Sequence, residues 1–345
     1  LSQKSFSLFP LEKEMSEKKK VIVFTTGGTI AMKFDPAVNG LVPAVSGADL
    51  AAAVPGLEKL ADVEVREFSN HASCAMTPQK MFDLSAMIEK ALEEDGVAGA
   101  VVTHGTDTVE ETSYMLDLLH KSEKPIVLTA AMRGAGDTSP DGPANIYCAV
   151  KTAASDEARG KGVLLLLNET IHAAAQVRKT HSANPATFES PWWGPIGYCD
   201  VDRVVFRREP IGRQTFSPKA LTARVDIVTG QTGVGREYID FAVAQGCKGI
   251  ILEGFGRGNL PAVLEPGIKD ASDKGVVVVI STRTPGGRPY QVYAYPGSVT
   301  DSRNNGAIHG GELSTAKTRL KLMVILSERP ELANNKLELE KLLDA

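Results

Sequence analysis

The feature that most restricts the fold of this chain is an alternation of short β-branched apolar runs with segments of helical period. Val21–Thr25, Val63–Phe68, Gly99–Thr103, Pro125–Thr129 and Val163–Leu167 read as strands buried on both faces. Strands of that kind require helices on either side of the sheet, which predicts an α/β unit built on a parallel or mixed sheet. Between the second and third runs, Thr77-Pro78 supplies an N-cap and a first-turn proline. Met81, Leu84, Met87, Ile88 and Leu92 then share one helical face until Gly96, and that face is predicted to pack on the sheet.

After Arg207 the pattern breaks into a polar stretch containing Pro210 and Pro218, which predicts a linker over residues 208–219. A smaller α/β unit of flavodoxin-like plan follows over 220–345, with strands at Arg224–Val228, Gly249–Glu253 and Val276–Ser281 and a final amphipathic helix near Thr315–Leu326. The first unit then occupies residues 21–207, and residues 1–20 are expected to be an extension or leader outside the fold. A chain of 345 residues accommodates two such domains.

Several function classes are disfavoured by composition. Lys and Arg total 38 against 42 Asp and Glu, and no basic block offers a surface that tracks phosphates, so nucleic acid is not an expected partner. No apolar run is long enough to span a bilayer, which argues for no membrane and a cytoplasmic location. The four cysteines are scattered without a C-x-x-C pair, which reads as mostly buried thiols and predicts no metal site.

Ligands of open α/β sheets bind outside the carboxyl ends of the strands. Two segments leaving such ends stand out. Thr25-Thr26-Gly27-Gly28-Thr29-Ile30-Ala31 carries paired glycines, which allow close backbone approach to a ligand, followed by a hydroxyl. In His104-Gly105-Thr106-Asp107-Thr108-Val109-Glu110-Glu111, Thr108 and Glu111 have the spacing of a capping box. A helix should start at Val109, leaving Gly105, Thr106 and Asp107 at its positive end, where a small carboxylate is favoured. Taken singly, each segment is ordinary: the first matches many tight turns, the second much capping chemistry.

Together they resemble the bacterial-type asparaginase and glutaminase family, whose signatures are T-G-G-T-I-A and, about eighty residues later, H-G-T-D-T-x-E-E-T, matched here by Thr26–Ala31 and His104–Thr112. The similarity continues through Ala131-Met132-Arg133, Ser139–Asn145, Gln176–Thr180, Ala186-Thr187-Phe188, Gly194–Tyr198 and Gly256–Leu260. This resemblance implies that Thr29 is a threonine nucleophile, with Thr106, Asp107 and Lys179 acting as a triad on the opposite side of the scissile amide. It also implies that Ser73, in Ser73-Cys74-Ala75-Met76, holds the substrate carboxylate, with Gly28, Cys74 and Gly105 beside it. Asn259 is implied to reach the substrate's amino end from a neighbouring subunit, in a homotetramer built as a dimer of dimers with active sites at the interface. The implied activity is hydrolysis of L-asparagine to L-aspartate and ammonia, with no cofactor.

The chain departs from the family pattern in three places. The Met32–Val45 loop has no tyrosine, Gly286–Tyr295 has no acid but holds Tyr290, Tyr293 and Tyr295, and Cys74 stands where many relatives carry glutamine. The expected alternative is therefore a same-mechanism amidase for another short dicarboxylic monoamide, glutamine or one lacking a free α-amino group. A non-enzymatic small-molecule binder on the same fold is the alternative from another class.

Overall fold

The first apolar run becomes β1 (Lys20–Thr25) of an eight-stranded sheet in a computed structural model that describes residues 18–43, Asp49 and 54–344. The expected extension, apart from its last residues, and the Met32–Val45 loop beyond Pro43 lie outside the described residues. A short antiparallel hairpin, β2 (Met32–Asp35) and β3 (Gly40–Pro43), follows β1. The sheet continues with β4 (Asp62–Glu67), β5 (Val97–Thr103), β6 (Ile126–Thr129), β7 (Val163–Leu167) and β8 (Thr170–Ala173). A separate two-stranded pair, β9 (Arg178–Lys179) and β10 (Phe188–Glu189), precedes the last two strands, β11 (Gly197–Cys199) and β12 (Val204–Phe206).

Spatial order in the large sheet is β12-β11-β8-β7-β6-β5-β1-β4, parallel from β4 to β7 and antiparallel from β7 to β12. The sheet is thus mixed. Alternation explains its burial on both faces: Val21 and Val23 of β1 join one core, while Ile22 and Phe24 join the core on the other side. Each such side chain contributes about 1.5–3 kcal/mol of transfer free energy. The run at Val63–Phe68 differs from expectation. It forms β4 at the sheet edge, where its residues are only half-buried because no strand lies beyond it.

Helix Pro78–Leu92 starts as its sequence predicts, with Thr77 Oγ1 accepting from Lys80 N at 3.2 Å. Met81, Leu84, Ile88 and Leu92 are buried, but Met87 is 36% exposed, because the buried stripe is narrower than the apolar one.

The second sheet contains β13 (Val225–Thr229), β14 (Gly249–Gly254), β15 (Val277–Thr282) and β16 (Ile308–His309), all parallel in that order. Helix Thr315–Glu328 forms where the final amphipathic helix is expected, but it is neither the last helix nor one with a clear polar face. It is buried on nearly every side between this sheet and helix Val109–Leu119 of the first unit, and helix Lys336–Asp344 follows it. One core thereby joins the two units, with Tyr114, Met115 and Leu118 packed in the same cluster as Leu320, Val324 and Ile251. The polar stretch between the sheets is clasped to the first unit: Phe216 N donates to Leu118 O at 2.7 Å, and Arg213 Nε donates to Asp117 Oδ1 at 2.8 Å.

Candidate active site

Strand β1 is where the chain reverses its direction of travel across the sheet, since β4 lies on one side of it and β5 on the other. The crevice beyond such a switch point is where ligands of this architecture bind. Three loops leave it, after Thr25, after Glu67 and after Thr103, and those three residues are in register.

Backbone hydrogen bonds lace these loops together. Thr26 donates to Thr103 O from both its backbone N (3.1 Å) and its Oγ1 (3.0 Å), while Thr26 O accepts from His71 N (3.1 Å) and Ser69 Oγ (3.1 Å). Gly27 and Gly28 turn the chain at φ of +96° and +88°, a region L side chains rarely adopt. A Cβ on Gly28 would lie 2.4 Å from the Cα and N of Gly105, and one on Gly105 would lie 2.8 Å from Ser73 Oγ. Glycine at both positions therefore permits the segments of Thr29 and Thr106 to touch backbone to backbone and the Ser73 side chain to pack against Gly105. Thr29 opens a short 3-10 turn, Thr29–Ala31, and is half-buried.

Helix Val109–Leu119 begins where its sequence predicts, but no capping box forms. Thr108 Oγ1 instead donates to Ser73 O at 2.7 Å, and Asp107 N donates to Ser73 Oγ at 3.3 Å. A contact between loops thus takes the hydroxyl that a local reading assigns to the helix. Ser73 is buried with its own hydroxyl proton still to give, whereas neighbouring Cys74 is exposed.

Lys179 arrives from β9, paired with Phe188 of β10. Its Nζ donates to Thr106 Oγ1 at 3.0 Å and to Asp107 Oδ1 at 2.8 Å, with the lysine side chain 18% exposed and the aspartate 68%. Thr106, Asp107 and Lys179 are therefore brought together by geometry alone. Among the described residues no hydrogen bond links Thr29 to any of them; the two loops are joined where Gly28 lies against the backbone of Gly105. Among the described residues no group of three or more His, Cys, Asp or Glu side chains is placed to hold a metal.

Residues 20–212 match the family description "Asparaginase, N-terminal", and residues 224–336 match "Glutaminase/Asparaginase C-terminal domain". The chain belongs to the asparaginase/glutaminase family. It is 36% identical over 313 residues to an L-asparaginase of Bacillus licheniformis, covering 91% of this chain and 97% of that protein. With L-asparaginase 2 of Bacillus subtilis it shares 37% over 327 residues, covering 91% and 84%. Among solved structures, a probable cytoplasmic L-asparaginase from Campylobacter jejuni matches at a TM-score of 0.83 and 34% identity, over 92% of this chain and 99% of that one. The class is that of the L-asparaginase-type amidohydrolases, which act on linear amides.

Two asparaginase-family residues beyond the expected set matter to the site. Glu110 Oε2 accepts from Lys179 N at 2.5 Å, and so fixes the backbone that carries the lysine. His104 is fully buried, bonded through Nδ1 to Gly105 O (2.8 Å) and through Nε2 to Thr112 Oγ1 (3.0 Å), and burial pulls its pKa down to about 4. A neutral ring donates one of these bonds and accepts the other, so it pins the Gly105 loop without adding charge. Both lie inside the His104–Thr112 motif, but nothing in their spacing announces a partner 69 positions away. Asn259 is not part of this cluster. It sits in the turn after β14, bridged by its backbone to Phe255, with its Oδ1 buried and without a partner among the described residues.

Proposed function

We propose that this chain hydrolyses the side-chain amide of L-asparagine to L-aspartate and ammonia through an acyl-threonine on Thr29. The observation that carries this reading is the pair of bonds from Lys179 Nζ to Thr106 Oγ1 and Asp107 Oδ1, at 3.0 and 2.8 Å, facing the loop of Thr29. A hydroxyl bonded to an ammonium that a carboxylate orients, beside a glycine-lined crevice, supports this reading because proton transfer requires such a chain.

In the first step the Thr29 hydroxyl oxygen bonds to the amide carbon as the C–N bond breaks. The proton released from Thr29 is carried to the leaving nitrogen, which departs as ammonia. Water then adds to the ester, the bond to Thr29 Oγ1 breaks, and the proton lost by water returns to Thr29. Thr106, accepting from Lys179, keeps its own proton to donate into the crevice, and Asp107 orients the ammonium. Backbone N–H groups of the Gly27-Gly28 turn and of the loop before Val109 supply oxyanion stabilisation. Ser73 holds the substrate carboxylate, with Gly28, Gly105 and Cys74 lining its seat.

The finer family traits belong to the same proposal: a cytoplasmic homotetramer in which Asn259, whose Oδ1 is buried without a partner here, faces a second subunit's site. Exposed Cys74 motivates a second substrate reading, because a thiol is a weak donor and acceptor toward an α-ammonium. The test is ammonia release from asparagine, glutamine and succinamic acid by wild type and Thr29→Ala. Asparagine leading, with Thr29→Ala reduced at least a thousand-fold, is expected from loss of a nucleophile. Succinamic acid leading would keep the chemistry and overturn the substrate. Turnover surviving in Thr29→Ala would overturn the mechanism.

A further inference from the structure

Lys317 lies in the first turn of helix Thr315–Glu328, in the second unit, and none of its surface is exposed. Burying an ammonium is unfavourable unless each of its three N–H groups finds an acceptor. Here all three do: Nζ donates to Ala174 O at 2.8 Å, to Ala175 O at 3.3 Å and to Val177 O. These carbonyls belong to the turn that joins β8 to β9, whose own backbone bonds, Gln176 N to Ala173 O and Val177 N to Ala173 O, leave the three oxygens pointing the same way. The next residues along the chain are Arg178 and Lys179.

Arg178 NH1 donates to Pro285 O at 3.1 Å, so a second contact from the second unit grips the same segment. From the first unit, Glu110 accepts the Lys179 N–H. Lys179 is therefore held along its backbone on one side by residues separated from it by more than a hundred positions, and its ammonium reaches Thr106 and Asp107 from that platform.

We propose that Lys317 is a positioning residue for Lys179, through which the second unit holds the candidate triad in its working geometry. The proposal rests on the catalytic reading of Lys179 given above. Burial pulls the Lys317 pKa down to about 8, partly offset by the Glu110, Glu111 and Asp117 carboxylates, while the Arg178 charge lowers it further. The centroid of the Tyr114 ring lies 5.9 Å from the ammonium. Three carbonyl acceptors call for three N–H donors, the protonated form, and among the described residues no carboxylate is bonded to it. Its bonds to backbone, rather than to an acid, are what a residue that shapes a turn requires. A displacement of about 1 Å at a reacting group is enough to lower a rate on the order of a hundred-fold.

Four full-length proteins test this: wild type, Lys317→Met, Lys317→Gln and Lys179→Met. For each, kcat and KM are measured with asparagine, and competent sites are counted by calorimetric titration with aspartate. Lys317→Met is expected to lower kcat per aspartate-binding site at least ten-fold while KM and the aspartate Kd stay within about three-fold. Lys317→Gln, which retains two N–H donors, is expected to fall between Met and wild type. If Lys317→Met yields no folded protein, Lys317→Gln decides on the same kcat-only criterion. Wild-type kcat per site in a folded Lys317 variant, with only fewer sites or a lower melting temperature, would overturn the proposal and leave a structural role. Full activity in Lys179→Met would instead overturn the reading of Lys179 itself, a result distinguishable from the first.

Discussion

Replacing Gly28 by alanine tests whether the segments of Thr29 and Gly105 are in direct backbone contact. At φ +88° an alanine is strained by about 1–2 kcal/mol, and its Cβ would stand 2.4 Å from the Cα and N of Gly105. Ordinary contact begins near 3.4 Å, so the loops must part by about 1 Å. Overpacking of that kind adds about 1–3 kcal/mol, giving a total destabilisation of about 2–5 kcal/mol. The larger effect is on rate. Thr29 follows Gly28 directly and moves with it, while Thr106 stays with Gly105, so kcat for asparagine should fall on the order of a hundred-fold. Gly275→Ala is the control: its φ is +77° with no heavy atom within 4 Å of the added Cβ, so it bears the backbone strain alone, about 1–2 kcal/mol, with activity unchanged. The assay is coupled ammonia release together with urea unfolding of both variants. Gly28→Ala retaining kcat within three-fold of the control would refute the argument that this contact sets the geometry of the crevice.

Other outcomes are expected from the same structure. Burial pulls His104 and His172 down to about 4 from an ordinary 6.5, so the unfolded chain takes up protons first as the pH falls. Stability present at pH 7 should be lost between about pH 6.5 and 4, on the order of 3 kcal/mol per histidine, and urea midpoints that stay flat across that window would contradict it. In the native protein Cys74 should be the one thiol that reacts rapidly with iodoacetamide, since Cys148, Cys199 and Cys247 are buried. Its alkylation beside Ser73 should lower kcat/KM at least ten-fold with aspartate protecting, and peptide mapping that finds the label elsewhere would count against this. Arg213→Met leaves the buried Asp117 carboxylate without its ion partner at 2.8 Å, and a loss of about 3 kcal/mol is expected by urea unfolding. A change under about 0.5 kcal/mol would mean that the linker clasp is not stabilising.

Much of the fold was legible because it is local. Val163–Leu167 was placed to the residue, and the helix starts at Val109 as the spacing of Thr108 and Glu111 predicts, although the capping box that spacing suggests does not form. Helix Pro78–Leu92 followed from Thr77 and Pro78, whose preferences act within one turn. The site was legible only through its motifs. Thr26–Ala31 and His104–Thr112 mark the two loops, and register between β1 and β5 brings them side by side. Lys179 carries no local signal at all, since a lysine beside an arginine is ordinary on any surface. Its standing in the sequence came wholly from the resemblance of Gln176–Thr180 to a known pattern.

Periodicity and capping are short-range, so the sequence by itself determined that strands alternate with helices and that glycine-rich loops leave the strand ends. Which groups those loops present to one another depends on neighbours far away in the chain. Thr108 donates to Ser73 O and does not accept from the N–H groups of its own helix, because an adjacent loop brings a carbonyl to its hydroxyl. Strand β4 is half-exposed because of its place at the edge of the sheet, not because of its composition. Lys317 would be a surface residue on an isolated amphipathic helix; three carbonyls of a turn about 140 residues earlier make its burial possible. Only the tertiary structure decides such pairings, since burying a polar group is favourable only after its partner has been brought to it.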